Sequence, residues 1–387
     1  MTSSPVETST RSTRPKSRKA AAVRDYLLSE LTTGHLKPGA AIPPEIELAE
    51  RFGISRQTVR RALAEREEEG IIRREQGRGT FVNENVNHRV RQDVNTFALL
   101  VVRMLPAALP LLCGFQKACQ SAQGHAVLYD SGNSLDTQAS IIMGILYGGV
   151  RISGLAMLPP TTPPATPPYH IAAIQERGIP VVLCHRGVIG AHAPTVALPY
   201  EEMGCMAGNA VAKYGHRRAG LICSHQSLLL DLQIRGFRKT LLANGCQLPE
   251  RFVYEGQTVS LEPAVREKQV GEAVERMFST VDRPTAVWVT SVQDAELVYV
   301  ALRRLGLRVP EDISLLTTTV EANPEEQFLR MVSSVVIPDA EIGRKAFEVL
   351  CEMRSGRRPL NDDEEIVIPI SWHEGQTLGP APKETQS

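Results

Sequence analysis

The 387-residue sequence lacks any apolar run of about 18 residues, the length a helix needs to cross a bilayer, so no membrane span is expected. Its opening, MTSSPVETSTRSTRPKSRK, has no apolar stretch behind the basic residues, and no signal peptide is expected. Cysteine is sparse. The seven are odd in number and lack paired spacing, which argues against a disulfide scaffold and a zinc cluster. Reduced thiols in the cytoplasm fit that usage. Charge of one sign is also missing. The 43 Lys and Arg balance 43 Asp and Glu, so no whole-protein field picks out a partner.

Catalytic signatures are absent too. The sequence has no GxSxG, no HExxH and no Walker loop. The glycine-rich EQGRG at 75–79 is too short to wrap a nucleotide. Cys184 and His185 are adjacent on an expected strand, so they point to opposite faces. Cys223 and His225 can share a face, but two ligands do not make a zinc site. No enzymatic activity, cofactor or metal is expected.

What is present is a core-forming chain, 42% apolar, long enough for one small and one large domain. Residues 1–82 carry 15 basic and 11 acidic residues, a net of +4, and the remainder carries −4. That asymmetry points a nucleic-acid contact at the N-terminal end. Residues 1–18, rich in Ser, Thr, Pro and Arg, read as a flexible arm. A helical pattern follows through Val23, Tyr26, Leu27 and Leu31, ended by Gly34. The segment 45–52 reads as a short helix with Ile46, Leu48, Ala49 and Phe52 inward, stopped by Gly53. Ser55 caps a second helix running to Glu69, with Val59, Ala62 and Leu63 on its apolar face. IIRRE, QGRG and TFV then read as two short strands around a glycine loop.

A short helix, a tight turn and a capped second helix are a helix-turn-helix signature. Ser55, Arg56 and Gln57 are placed to enter a major groove, with Thr58, Arg60 and Arg61 beside them. Arg pairs with guanine O6 and N7, and Gln with adenine N6 and N7. Arg73, Arg74 and Arg78 flank the hairpin loop at Gln76. Gly77 and Gly79 keep that loop thin, so that Arg78 can enter a narrow minor groove.

Residues 83–95 are polar and read as a linker. From Thr96 onward, strands and helices alternate, which predicts parallel sheets covered on both faces by helices. A body of this size exceeds one usual core, so two lobes are expected. Asp294 is placed at the carboxyl end of the AVWVT strand, the edge where open α/β sheets bind ligands. It reads equally well as an N-cap of the helix beginning near Ala295.

Residues 19–82 resemble the winged helix-turn-helix of the GntR family, over PGAAIPPEIELAERFGISRQTVRRALAEREEEGIIRREQGRGTFV. That likeness implies that Arg56, Thr58 and Arg60 touch phosphates or base edges and that Gly77 and Gly79 form the wing tip. Pro44 departs from the family's usual Ser at that position. The body, about 97–374, resembles the LacI-type and periplasmic-sugar-binding fold, most clearly in VPEDISLL and EIGRKAFEVL. A GntR head on such a body is similar to the arabinose-regulator subgroup. The fold class implied is α/β: a small winged helix-turn-helix, then a periplasmic-binding-protein-like domain (96–377) of two parallel-sheet α/β/α lobes.

In that family the chain crosses between lobes three times. The likeness places the crossings near 194–197, 320–323 and 336–338. The N-lobe would then be 96–194 plus 323–336, and the C-lobe 197–320 plus 337–372. Residues 378–387 read as a disordered tail. The effector positions carried over are Gln233, where relatives have an Arg, together with Arg235 and Asp294. Pro199 replaces a usual Asp, and LLTTTVEA replaces a strand ending in Gly-Phe-Asp-Asp.

The function this implies is a cytoplasmic, homodimeric, ligand-responsive repressor. Its partners are operator double-stranded DNA and a small, polar, hydroxylated effector that is sugar-like or nucleoside-like. Two alternatives stand beside it: a ligand-independent regulator with a vestigial sensor, and a carbohydrate-binding module with a decayed head. The apolar Leu109, Leu111 and Leu112, with the helix after Asp136, are the candidates for the dimer face.

Overall fold

The computed structural model describes residues 23, 26, 27, 30, 35–37, 39–68, 71–83, 95–102, 108–147, 151–160, 165–224, 228–256, 262–280, 282–321 and 326–383. The expected arm at 1–18, most of the first helical pattern, all but the ends of the 83–95 linker, His225 and the last four residues lie outside them. The chain divides into two units, 1–95 and 96–387.

In the first unit, α1 (Glu45–Phe52) and α2 (Arg56–Glu68) precede a hairpin of β1 (Ile72–Glu75) and β2 (Gly79–Val82). Leu48, Val59, Ala62, Leu63, Ile72 and Val82 form its core with Val23 and Leu27. Ile46 was expected inward but is half exposed, because α1 turns only Leu48 and Ala49 fully into the core. Gly53 ends α1 at φ 58°, a left-handed conformation that glycine adopts without a Cβ penalty.

The second unit holds two six-stranded sheets. The first sheet is built from β3 (Thr96–Val101), β4 (His125–Asp130), β5 (Gly154–Met157), β6 (Val181–His185), β7 (Thr195–Ala197) and β13 (Glu365–Val367), in the order β13-β7-β6-β5-β3-β4. The helices of this lobe are α3 (Leu109–Ser121), α4 (Leu135–Tyr147), α5 (Pro168–Gln175) and α11 (Asp339–Arg354). The second sheet comprises β8 (Ala219–Cys223), β9 (Val253–Glu255), β10 (Ala286–Val289), β11 (Ser314–Val320), β12 (Ser333–Ile337) and β14 (Ser371–His373), in the order β14-β12-β11-β10-β8-β9. Around it stand α6 (Tyr200–Lys213), α7 (Leu230–Ala243), α8 (Pro263–Phe278), α9 (Val292–Arg304) and the short α10 (Gln327–Met331). Every pairing in both sheets is parallel except β12 with β14.

Alternation along the central strands explains the two-sided packing. On β3, Phe97, Leu99 and Val101 enter the core under α3 and α11, while Ala98 and Leu100 enter the opposite core under α4 and α5. On β10, Trp288 faces α6 and α7, while Val287 and Val289 face α8 and α9.

The lobes divide differently from the expectation. β12 pairs in parallel with β11, so 333–336 belongs to the C-lobe rather than the N-lobe. Helix α11 belongs to the N-lobe: its Phe347 ring lies 4.9 Å from Phe97 and 5.9 Å from Phe115. The crossings therefore fall between β7 and α6, at Pro338, and between β13 and β14. No crossing separates β11 from β12. The amphipathic pattern of α11 is plain in the sequence, but a pattern does not say which of two similar sheets will receive its apolar stripe.

Residues 378–383 depart from the expected disordered tail, and 384–387 lie outside the described residues. Leu378 is buried against the C-lobe core. Gly379 receives hydrogen bonds at its carbonyl from Ser314 Oγ (3.1 Å) and the His216 ring (3.0 Å). Its own N–H donates to Ser314 Oγ, at 3.0 Å. Polar, Pro-containing sequence reads as disorder when its hydrogen-bond partners sit more than 60 residues away.

Glycines set the closest helix contacts in both lobes. A Cβ on Gly204 would overlap the Gln233 carbonyl, and one on Gly236 the Glu201 carbonyl, where α6 crosses α7. Gly114 and Gly343 stand likewise against Ala340 and Leu111, where α3 crosses α11. The opposing atoms are backbone and cannot rotate away. Gly236→Ala should therefore destabilise the body by about 1–3 kcal/mol or more, the range for overpacking a tight core. Urea titration of the full chain checks this, and an unchanged midpoint would show that the helices separate freely.

Candidate DNA interface and sensor site

On α2 the Ser55 hydroxyl accepts the Thr58 backbone N–H at 3.2 Å and meets the Thr58 hydroxyl at 2.8 Å. This cap satisfies a helix-end donor and fixes where α2 starts. Arg56, Gln57, Arg60 and Arg61 are exposed, and Thr58 is half buried. Arg60 is not free. Its guanidinium forks onto the Glu45 carboxylate of α1 at 3.0–3.2 Å, and its carbonyl accepts from Arg74 at 3.3 Å. The Arg60 bond holds the Glu45 carboxyl below the usual glutamate range. The contribution of that pair to stability is thus present at neutral pH and is lost as acid protonates Glu45. α1 has no side-chain cap at Pro44, and Glu45 and Glu47 in its first turn complement the helix dipole instead.

The hairpin turns at Gln76–Arg78, with Arg78 N–H donating to the Glu75 carbonyl at 3.0 Å. Gly77 and Gly79 hold φ of 76° and 121°. Glu75 pairs with both Arg73 and Arg78, the latter at 2.8 Å, and Arg73 also lies over the Phe81 ring. Arg73 and Arg78 of the hairpin thus each have an acid of their own chain, which would compete with any external anion. Glu75→Gln should strengthen binding to random duplex DNA and steepen its salt dependence by about one counterion. Filter binding between low and moderate salt measures this, and an unaltered slope would place Arg78 off the DNA.

In the body, Asp294 is fully buried in the first turn of α9, three residues after the capping Ser291, so it is not the N-cap. Arg266 on α8 donates to one carboxylate oxygen through Nε (3.1 Å) and Nη2 (2.9 Å). Ser224, at the carboxyl end of β8, donates to the other oxygen at 2.6 Å. Arg235, expected beside Asp294, is exposed instead and stands 3.8 Å from Glu201. Gln233 is buried where α7 meets α6. The structure therefore brings Asp294 together with Arg266, Ser224 and Ser291, and places the other two candidates on another helix. The sequence reading passed over α8, whose Val270, Val274 and Met277 mark a helical stripe.

The threonines that replace the family's acidic strand end are occupied internally. Thr317 Oγ1 donates to the Val289 carbonyl at 2.7 Å, and Thr318 accepts from the Trp288 ring at 3.3 Å. Cys184 is buried, and that burial pushes its thiol up to about 12, far from a reactive thiolate. His185 turns from it to Asp339, with Nε2 and Oδ1 2.8 Å apart. Among the described residues, no helix is long and apolar enough to cross a membrane.

Removing one partner of a buried ion pair strands the other. Asp294→Ala should cost about 3–5 kcal/mol of stability, whereas Asp294→Ala with Arg266→Met should recover much of that loss. Denaturant titrations of the single and double variants decide it. Equal losses in both would mean that the pair carries no coupling.

Residues 19–82 match the family of bacterial regulatory proteins, gntR family, and residues 208–378 match a periplasmic binding protein-like domain. The arabinose metabolism transcriptional repressor of Geobacillus stearothermophilus is 26% identical over 347 residues, covering 87% of this chain and 91% of that protein. Among solved structures, a transcriptional regulator CelR–cellobiose complex aligns with TM-score 0.61 and 19% identity, over 87% of this chain and 100% of that one. The regulator CcpA of Lactococcus lactis aligns with TM-score 0.61 and 16% identity, over 73% and 99%. At those identities the structures speak to the fold. The chain joins a segment that matches the gntR-family model to one that matches a periplasmic binding protein-like domain.

Proposed function

We propose that this protein is a sequence-specific transcriptional repressor that responds to a small-molecule effector. The observation that carries this reading is one chain holding both an exposed, Ser55-capped helix and a two-lobed α/β body with a buried polar cluster at a sheet's carboxyl edge. The relative named an arabinose metabolism transcriptional repressor, matched along most of both chains, supports the same reading. The protein performs no catalysis and works in the cytoplasm.

Arg56 and Gln57 read base edges in the major groove, and Ser55, Thr58 and Arg60 set the start and seat of the helix. Arg73, Gln76, Gly77, Arg78 and Gly79 form the wing that tracks the adjoining groove. The body binds a polar, hydroxylated effector between its lobes, with Asp294 ordering that site through Arg266. A neighbour solved with cellobiose supports a sugar-like class.

Two heads on one operator call for a homodimer with two-fold symmetry. Leu111 leaves the set of dimer residues because it is wholly buried in the N-lobe core. Leu109 remains, Leu112 is partly buried against that core, and on the helix after Asp136 the exposed apolar residues are Met143 and Tyr147.

The test is an electrophoretic shift on the DNA upstream of the protein's own coding sequence, with metabolites added. Arg56→Ala should weaken specific binding by about 1–3 kcal/mol and binding to random duplex much less. Equal losses on both would move Arg56 to a phosphate. A shift that no metabolite alters would favour a regulator with a vestigial sensor, a reading to which the fully paired Asp294 carboxylate also lends support.

A further inference from the structure

Among the described residues of the body, three arginines, Arg186, Arg218 and Arg238, have a buried Nε without a hydrogen-bond partner. Arg238 is paired through Nη2 with Glu250, and of the other two Arg186 lies at a carboxyl sheet edge. Arg186 follows β6, at the carboxyl edge of the N-lobe sheet. Its Nε is buried and has no hydrogen-bond partner. The Tyr200 phenol interacts with it and carries no charge near neutrality, because burial pushes its pKa up. The acid of this cluster, Asp339, is buried and committed to His185 at 2.8 Å. Across the body, the Asp294 carboxylate is committed to Arg266 and Ser224. Arg186 is part-buried, and a guanidinium whose Nε is shut from water without a partner is costly, so folded chains seldom keep one without use for it.

Two further observations mark the same place. His185 holds φ at 68°, a left-handed conformation that non-glycine residues rarely adopt and that clusters at functional sites. The cluster also touches two of the lobe crossings. Tyr200 opens α6 just after the first crossing and packs against the cores of both lobes. Asp339 opens α11 just after the second. The carboxyl edge of a parallel sheet, beside the joint between lobes, is where such folds take ligands.

We propose that Arg186 receives an oxyanion of the effector, so that the ligand is a small hydroxylated molecule carrying a carboxylate or a phosphate. The proposal rests on the reading that the body senses an effector. A neutral sugar would leave the guanidinium without a counter-charge, whereas a carboxylate or phosphate meets its planar fork with two parallel hydrogen bonds. The anion would be seated next to both crossings, which gives ligand charge direct leverage on the angle between the lobes.

The experiment uses the full chain in calorimetry and thermal melting. The probes are matched sets: glucose, glucuronate and glucose 6-phosphate; arabinose, arabinonate and arabinose 5-phosphate; and inorganic phosphate alone. At least one acidic probe should bind tenfold or more tighter than its neutral parent. Arg186→Gln should remove that advantage, and Arg186→Lys should keep part of it. Ligand-free Arg186→Gln should melt at or above the native temperature, because a part-buried charge with an unpartnered Nε has been removed. Preference for carboxylate or for phosphate identifies the group, and either supports the proposal.

Four results would overturn it: neutral parents binding as tightly as acids, acid affinity indifferent to Arg186→Gln, a ligand-free variant melting well below native, or no probe binding at all. A gel shift on the upstream DNA runs in parallel. Retained DNA binding with any of those four results removes only the anion site. Failure of the native chain to bind DNA removes the regulator reading itself.

Discussion

Backbone-to-backbone contact between helices is the constraint on which the body depends. In each lobe a pair of helices meets through glycines, Gly204 and Gly236 in one and Gly114 and Gly343 in the other. One helix of each pair, α6 or α11, begins directly after a crossing between lobes. The glycine contacts therefore fix where the crossing strands enter each lobe, and with them the carboxyl edges that the lobes present. Larger residues could fill the same volume elsewhere in a core. Here the facing atoms are carbonyls and amides, which have no rotamer to change.

Charge inside the body follows a strict economy. Asp294 is satisfied through Arg266 and Ser224, and Asp339 through His185. Each of these links joins separate elements: α9 with α8 and β8, and α11 with β6. Buried pairs of this sort add little net stability over apolar packing, but they specify which elements lie together. Against that background the Arg186 Nε, buried without a partner at a carboxyl sheet edge, is the feature on which the proposed anion site rests.

The head manages charge in another way. Arg60 and Arg78 are exposed and Arg73 is part-buried, yet each meets a carboxylate of the same domain. Such pairs are weak in water and exchange readily for phosphate. In the proposed reading they lower the net attraction to any duplex, while Arg56 and Gln57 stay exposed for base edges. Specific recognition gains relative to non-specific attachment when phosphate contacts must first give up an internal partner.

The sequence by itself determined whatever is local. Gly53 ends α1 and Ser55 caps α2, because capping and left-handed turns are set by single residues. Gly77 and Gly79 mark the wing, and the alternation of short apolar runs with helical stripes announces two-sided parallel sheets. Asp294 was legible as an acid at a sheet edge, but its partner was not, since Arg266 stands 28 residues earlier on a helix where it is one charged residue among several. Which lobe receives α11 and β12, why the chain stays ordered past Leu378, and that Arg235 faces Glu201 rather than Asp294 were decided by the tertiary structure alone. Each depends on contacts between distant segments, and periodicity along one segment records only that a face is apolar, not which partner will cover it.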